Sequence, residues 1–212
     1  MARSLDAALR DYYDQDAPRR LKRGRAPLRR RLQETFLDLL RTENRTRILE
    51  LGCGPGLDAS AFQTGGLRPV GLDLSVEHAR MAAAGGVPAL QGSLFAPPFK
   101  PSVFEAAWTM STLVHVPDAR FDDAMRAITA SVEPGAPIGI GLWGGYDDEG
   151  QNLTDVIEPP RFFSHRSHDR AVAMLDRHGE VISFETQAFD QLDEEYQFAI
   201  LRTRRHGPSS KR

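Results

Sequence analysis

Ile48-Leu49-Glu50-Leu51-Gly52-Cys53-Gly54-Pro55-Gly56 decides the reading of this chain. It reads as a short buried strand that ends in a glutamate and breaks into a glycine-rich turn. Glycine at every second position lets the backbone take positive φ and approach a ligand with no Cβ in the way. Leu57–Phe62 then reads as a helix start, whose free N–H groups can face a polar ligand. The spacing is informative. A dinucleotide fold wants G-x-G-x-x-G, with a pyrophosphate on the helix. Here the pattern is E-x-G-x-G-x-G. An acid beside a pyrophosphate is repulsive; beside a cationic ligand it is favourable.

Working outward, short apolar runs alternate with helical stretches. Strands are expected at Arg47–Leu51, Pro69–Asp73, Pro88–Gln91, Ala106–Met110 and Ile138–Trp143, with helices over 57–64, 75–84 and 118–132. Such alternation implies a largely parallel sheet covered on both faces. Val181–Phe189 and Tyr196–Thr203, separated by a turn-like Asp190–Glu195, add an antiparallel hairpin at the end. The expected fold is therefore α/β: a doubly wound, seven-stranded, mostly parallel sheet with an antiparallel C-terminal hairpin. Residues 1–45 form a helical N-terminal extension, in which Leu28, Leu32, Phe36, Leu39 and Leu40 recur at helical spacing. Residues 46–206 form the main domain. Residues 144–165 break the pattern with Gly144-Gly145, three consecutive acids and Pro159-Pro160, and read as a lid. Residues 207–212 read as a disordered tail.

Composition sets bounds. A chain of 212 residues can bury roughly 70% of its unfolded surface as one domain. No run approaches the ~20 apolar residues of a membrane span. The single Cys53 leaves no intrachain disulfide framework, and the first residues carry no apolar signal core, so a cytoplasmic location is expected. Cys53 reads as a small packing residue. Arg outnumbers Lys by 24 to 3, a bias expected of a GC-rich bacterial genome. Charge is uneven: residues 1–47 hold 13 Arg and Lys against 7 acids, the remainder 14 against 22. The run Arg19-Arg20-Leu21-Lys22-Arg23-Gly24-Arg25 is either a nucleic-acid contact or a solvated face; no zinc or RNA-binding module accompanies it. No metal site is expected, since His165-x-x-His168 lacks neighbouring acids or thiols.

The glycine motif resembles motif I of class I, Rossmann-like S-adenosylmethionine (SAM) methyltransferases, whose ligand carries an ammonium and a sulfonium. The likeness covers roughly residues 45–142. It implies that Glu50, Gly52, Cys53, Gly54 and Gly56 cradle the methionine portion of SAM. Val70-Gly71-Leu72-Asp73-Leu74-Ser75 ends the second strand in an acid 19 residues beyond Gly54. Asp73 then matches the ribose hydroxyls, with Leu74 beside it, while Ser75 is the better helix cap. Gln91-Gly92-Ser93-Leu94 resembles the segment after strand three, with Ser93 where the family usually has Asp facing the adenine amino group. Phe104-Glu105-Ala106-Ala107-Trp108-Thr109-Met110-Ser111 resembles the fourth-strand motif, with Glu105 where Asp is usual, and places Thr109, Met110 and Ser111 beside the sulfonium.

On the acceptor side, His115 orients an acceptor or removes its proton, or is simply structural. Trp143, Tyr146, Arg161, Phe162 and Phe163 resemble a branch of bacterial methyltransferases that includes natural-product enzymes; the aromatics wall an apolar pocket or pack a long loop. Tyr12 and Tyr13 cover the cofactor's mouth or pack in a helical core. The resemblance implies an enzyme that moves a methyl group from SAM, leaving S-adenosylhomocysteine (SAH), to an O or N of a small molecule in bacterial secondary metabolism, as a monomer or homodimer. Two rivals are an RNA or protein methyltransferase using the basic N-terminus and a non-catalytic SAM-binding regulator. The Asn/Asp-Pro-Pro-Tyr motif of many DNA and protein amino-group methyltransferases is absent; Thr109-Met110-Ser111-Thr112 stands in its place.

Overall fold

A computed structural model describes residues 4–189 and 194–205. The expected tail at 207–212 and the turn residues 190–193 lie outside those residues. Two helices come first, α1 (Leu5–Arg23) and α2 (Pro27–Thr42). Strand–helix alternation follows: β1 (Arg47–Leu51), α3 (Leu57–Thr64), β2 (Arg68–Asp73), α4 (Val76–Ala84), β3 (Ala89–Gln91) and β4 (Ala106–Met110). A 3₁₀ turn at Leu113–His115 leads to α5 (Asp118–Ser131) and β5 (Pro137–Gly144). The chain closes with β6 (Asp148–Gln151), β7 (Phe162–His165), α6 (His168–Asp176), β8 (Gly179–Ala188) and β9 (Glu195–Thr203).

Seven strands form one sheet in the order β3-β2-β1-β4-β5-β9-β8. The first five are parallel, and β9 runs antiparallel to both β5 and β8. The expected fold class is what the structure shows. Successive residues of β1 face opposite sides of the sheet. Ile48 joins Phe36, Phe62, Trp108 and Phe198 under α2 and α3. Leu49 and Leu51 join Phe121, Ile128, Ile138 and Leu175 under α5 and α6. Because β1 lies between β2 and β4, the chain reverses its winding direction there. The crevice beyond the carboxyl ends of β1 and β4 is where ligands bind in open α/β sheets.

Two elements were not foreseen. Residues 144–165, expected to form a lid, contain a separate hairpin, β6 paired with β7. Its first strand is Asp-Glu-Gly-Gln, without β-branched or aromatic residues, so only its partner makes it a strand. Helix α6 buries just Ala171, Met174 and Leu175, a single turn's worth of apolar spacing. Glu105, read as part of a cofactor motif, sits at the opposite end of the sheet. Its carboxylate accepts the N–H of Thr46 at 2.6 Å and of Arg47 at 2.9 Å, fastening the start of β1.

Candidate functional site

The turn after β1 is built against the end of β2. Gly52 N donates to Leu72 O at 2.7 Å. Gly54 N donates to Asp73 Oδ2 at 2.7 Å, while Ser75 N donates to Asp73 Oδ1 at 2.9 Å. Ser75 caps α4 through its hydroxyl, which accepts from His78 N. Gly54 has φ +54°, and a Cβ there would meet no atom within 4 Å. That open side faces a cavity of about 620 Å³, within the size range of small-molecule sites.

Glu50 lines this cavity, is 2% exposed, and its Oε2 has no hydrogen-bond partner among the described residues. Burial pushes its carboxyl well above the usual range, the nearby Asp58 carboxylate adds to the push, and Arg29 opposes it. An orphaned buried carboxylate is costly unless a cation reaches it. Cys53 is buried beside it, and burial keeps its thiol protonated. Asp73 and Leu74 line the next stretch of the wall, followed by Ser93 and Leu94; Met110 and Ser111 flank Glu50 on the β4 side. Ser111 has φ +58°, a strained conformation for a residue with a Cβ. Its hydroxyl lies 3.2 Å from Tyr196 Oη.

The helix α1 roofs the cavity. Asp14 accepts the Ser75 hydroxyl at 2.6 Å, and Asp6 accepts the Ser93 hydroxyl at 3.0 Å. Tyr13 Oη lies 2.6 Å from His115 Nε2, and His115 Nδ1 lies 2.7 Å from Phe162 O. A carbonyl only accepts, so Nδ1 carries the proton and Nε2 receives the tyrosine hydroxyl. Burial lowers the His115 pKa to about 4, which leaves the ring neutral near pH 7.

Residues 48–135 match a family described as "Methyltransferase domain". Over those residues the chain is similar to methyltransferase domains. Among solved structures, a 1,6-didemethyltoxoflavin N1-methyltransferase of Burkholderia thailandensis, with SAH bound, aligns at 16% identity and TM-score 0.74 over 96% of this chain and 92% of that one. The cyclase SpnF aligns at 16% and 0.73 over 97% and 98%. A SAM-dependent methyltransferase of Methanosarcina mazei aligns at 16% and 0.66 over 77% and 94%. At such identities the likeness establishes the fold.

SAM fits the residues of this cavity. The unpartnered Glu50 oxygen would hold the ammonium. Asp73 still has lone pairs for ribose hydroxyls after accepting two backbone bonds. A side chain at Gly54 would project into the cradle.

Most of the expected cofactor residues reach the cavity: Glu50, Gly52, Cys53, Gly54, Asp73, Leu74, Ser93, Leu94, Met110 and Ser111. Gly56 and Thr109 do not. Gly56, at φ +82°, starts α3, and a Cβ there would meet Ala82 at 2.9 Å; it serves helix packing. Thr109 is 1% exposed, on the face of β4 opposite Trp108 and Met110, because strand residues alternate.

On the acceptor side, Tyr13, His115 and Trp143 line the cavity, while Tyr12, Tyr146, Arg161 and Phe162 do not. Arg161 makes a bidentate ion pair with Asp155, at 2.8 and 2.5 Å, and lies 4.5 Å over the Tyr12 ring. Tyr12 Oη reaches Asp155 at 3.4 Å. These residues latch the hairpin to α1. Tyr146 stacks on His165 at 5.0 Å, and Phe162 contributes its carbonyl to His115. His165 and His168 pair separately with Glu194 and Glu195, and no metal-binding cluster occurs among the described residues.

The structure also brings in residues that the sequence did not single out. Phe189 and Tyr196 line the cavity as well, and both rings meet Trp143. They come from the start of β9 and the residue after β8, far from the glycine motif, and no local pattern marks them. Asp6, Arg25 and Arg29 also line the wall, and Asp58 joins them there. Asp58 accepts from Arg29 Nε and, at 2.9 Å, from Trp108 Nε1. The acid one residue into α3 was the available signal: a carboxylate at a helix start among so many arginines needs partners.

Proposed function

We propose that this protein transfers a methyl group from SAM to an oxygen or nitrogen of a small molecule. The observation that carries the reading is a single continuous cavity. Its wall carries the orphaned Glu50 carboxylate, Asp73 and Ser93 together with the aromatic rings of Trp143, Phe189 and Tyr196. When bound, SAM supplies an already activated methyl group. The protein's work is alignment, and holding reactants in line can supply about 7–11 kcal/mol. Ser111 and Met110 line the same cavity, where the methyl group would pass. The α1 roof and the latched hairpin exclude water. His115 acts through Tyr13, whose hydroxyl it holds by accepting its hydrogen bond at 2.6 Å. Its low basicity suits a positioning role better than direct proton removal.

A small-molecule acceptor is favoured over RNA because the basic run turns partly inward: Arg20, Arg23 and Arg25 line the cavity, and Arg20 pairs with Asp16 at 2.8 Å. The fold alone does not set the reaction, so turnover is the test. Purified protein with labelled SAM should methylate at least one small molecule drawn from the products of neighbouring biosynthetic genes. SAM binding without turnover across that panel would instead support the regulatory reading. Replacing Arg19 and Lys22 by glutamate should leave methylation intact; its loss would favour a nucleic-acid acceptor.

A further inference from the structure

We infer that Asp6, on the first turn of α1, reads the adenine amino group of the methyl donor. The inference rests on the SAM reading above. The sheet order supplies the geometry. The tips of β1, β2 and β3 lie side by side, and each presents one polar residue to the cavity wall: Glu50, Asp73 and Ser93. A ligand with its ammonium at Glu50 and its ribose at Asp73 extends its base to the β3 tip. An exocyclic amino group is a donor and needs an acceptor there. Ser93 is poorly placed to be one. Its hydroxyl hydrogen goes to Asp6 Oδ2 at 3.0 Å, and its oxygen already faces Phe95 N at 3.3 Å. Asp6 lines the same stretch of wall, and a carboxylate keeps several acceptor sites after taking one hydroxyl. Ser93 thus orients the acid rather than replacing it.

The position of Asp6 is held by the rest of α1. Asp14 takes the Ser75 hydroxyl at 2.6 Å and Glu77 N at 3.2 Å. Tyr13 bonds His115 at 2.6 Å. These ties span two turns of α1 beyond Asp6 and fix the helix across the strand tips. The N-terminal helix is therefore part of the cofactor site as well as its cover.

Calorimetric binding of SAH and of S-inosylhomocysteine, which carries a 6-oxo acceptor in place of the 6-amino donor, tests the assignment. Wild type should prefer SAH by about 10- to 100-fold, because a carboxylate facing an oxo group leaves both unpaired. In Asp6→Ala that preference should shrink to a few-fold. In Asp6→Asn, whose amide can donate as well as accept, binding of the inosyl compound should rise above the wild-type level. A preference that stays at the wild-type value in both variants overturns the role of Asp6 while leaving the SAM reading in place. Wild type that binds neither compound overturns the SAM reading and this inference together.

Discussion

Glu50→Gln probes the point where the fold meets its ligand. Glu50 is 2% exposed, and its Oε2 lacks a partner among the described residues. Burial first, and the Asp58 carboxylate second, raise its pKa from an ordinary 4.5. The free protein therefore holds this proton at pH values where an exposed glutamate has lost it. An ammonium beside Glu50 removes the penalty, so ligand binding should expel the proton. Calorimetry of SAH in two buffers of different ionisation enthalpy, from about pH 5 to 8, counts it. Wild type should release up to about one proton more than Glu50→Gln, most strongly between the bound and free pKa values. A hydrogen bond to a charged group is worth about 1.5–3 kcal/mol, so the variant should bind SAH about 10- to 150-fold more weakly. The unliganded proteins should show the opposite order of stability. Because the folded pKa lies above the unfolded one, the folded wild type binds more protons than the unfolded chain within that window. Wild-type stability therefore falls as pH rises from 4.5 through the raised value, and the glutamine variant lacks that decline. Equal proton counts together with SAH affinities within about twofold would refute the pairing of Glu50 with the ammonium.

Other perturbations separate the parts of the site. Gly54→Val and Asp73→Ala should each weaken SAH binding severely by calorimetry, the first by filling the open side of a backbone at φ +54°, the second by removing the anchor of Gly54 N. The His115 pKa is lowered by burial from 6.5 to about 4, so the folded state binds fewer protons than the unfolded chain between those values. Melting temperature should therefore rise as pH rises across that range, and His115→Gln should reduce the slope. Tyr13→Phe and His115→Ala should slow turnover non-additively in a double-mutant cycle, since one hydrogen bond links them; additive losses would separate their roles. Arg161→Ala breaks an ion pair with the buried Asp155 and should raise hydrogen exchange across residues 152–163, with core strands unchanged.

Much of this architecture was legible in local pattern. The β1 motif, the acid ending β2 and the alternation of strand and helix depend on near neighbours, and periodicity records near neighbours faithfully. The hairpin β6–β7 was illegible for the opposite reason: β6 is polar and exists only because β7 pairs with it. Gly56 and Thr109 belonged to the right motifs but turn away from the cavity. In each case facing was decided by packing, against Ala82 for the glycine and by strand alternation for the threonine.

The sequence by itself determined the Rossmann-like fold and the glycine turn at the cavity wall, because Glu50 and the glycines lie within one strand and its turn. Only the tertiary structure decided what surrounds that loop. Asp6, Tyr13, Trp143, Phe189 and Tyr196 come from both ends of the chain and converge through the docking of α1 and the antiparallel return of β9. Side chains separated by up to 190 positions carry no mutual spacing in the sequence. Their meeting is set by which faces the core buries.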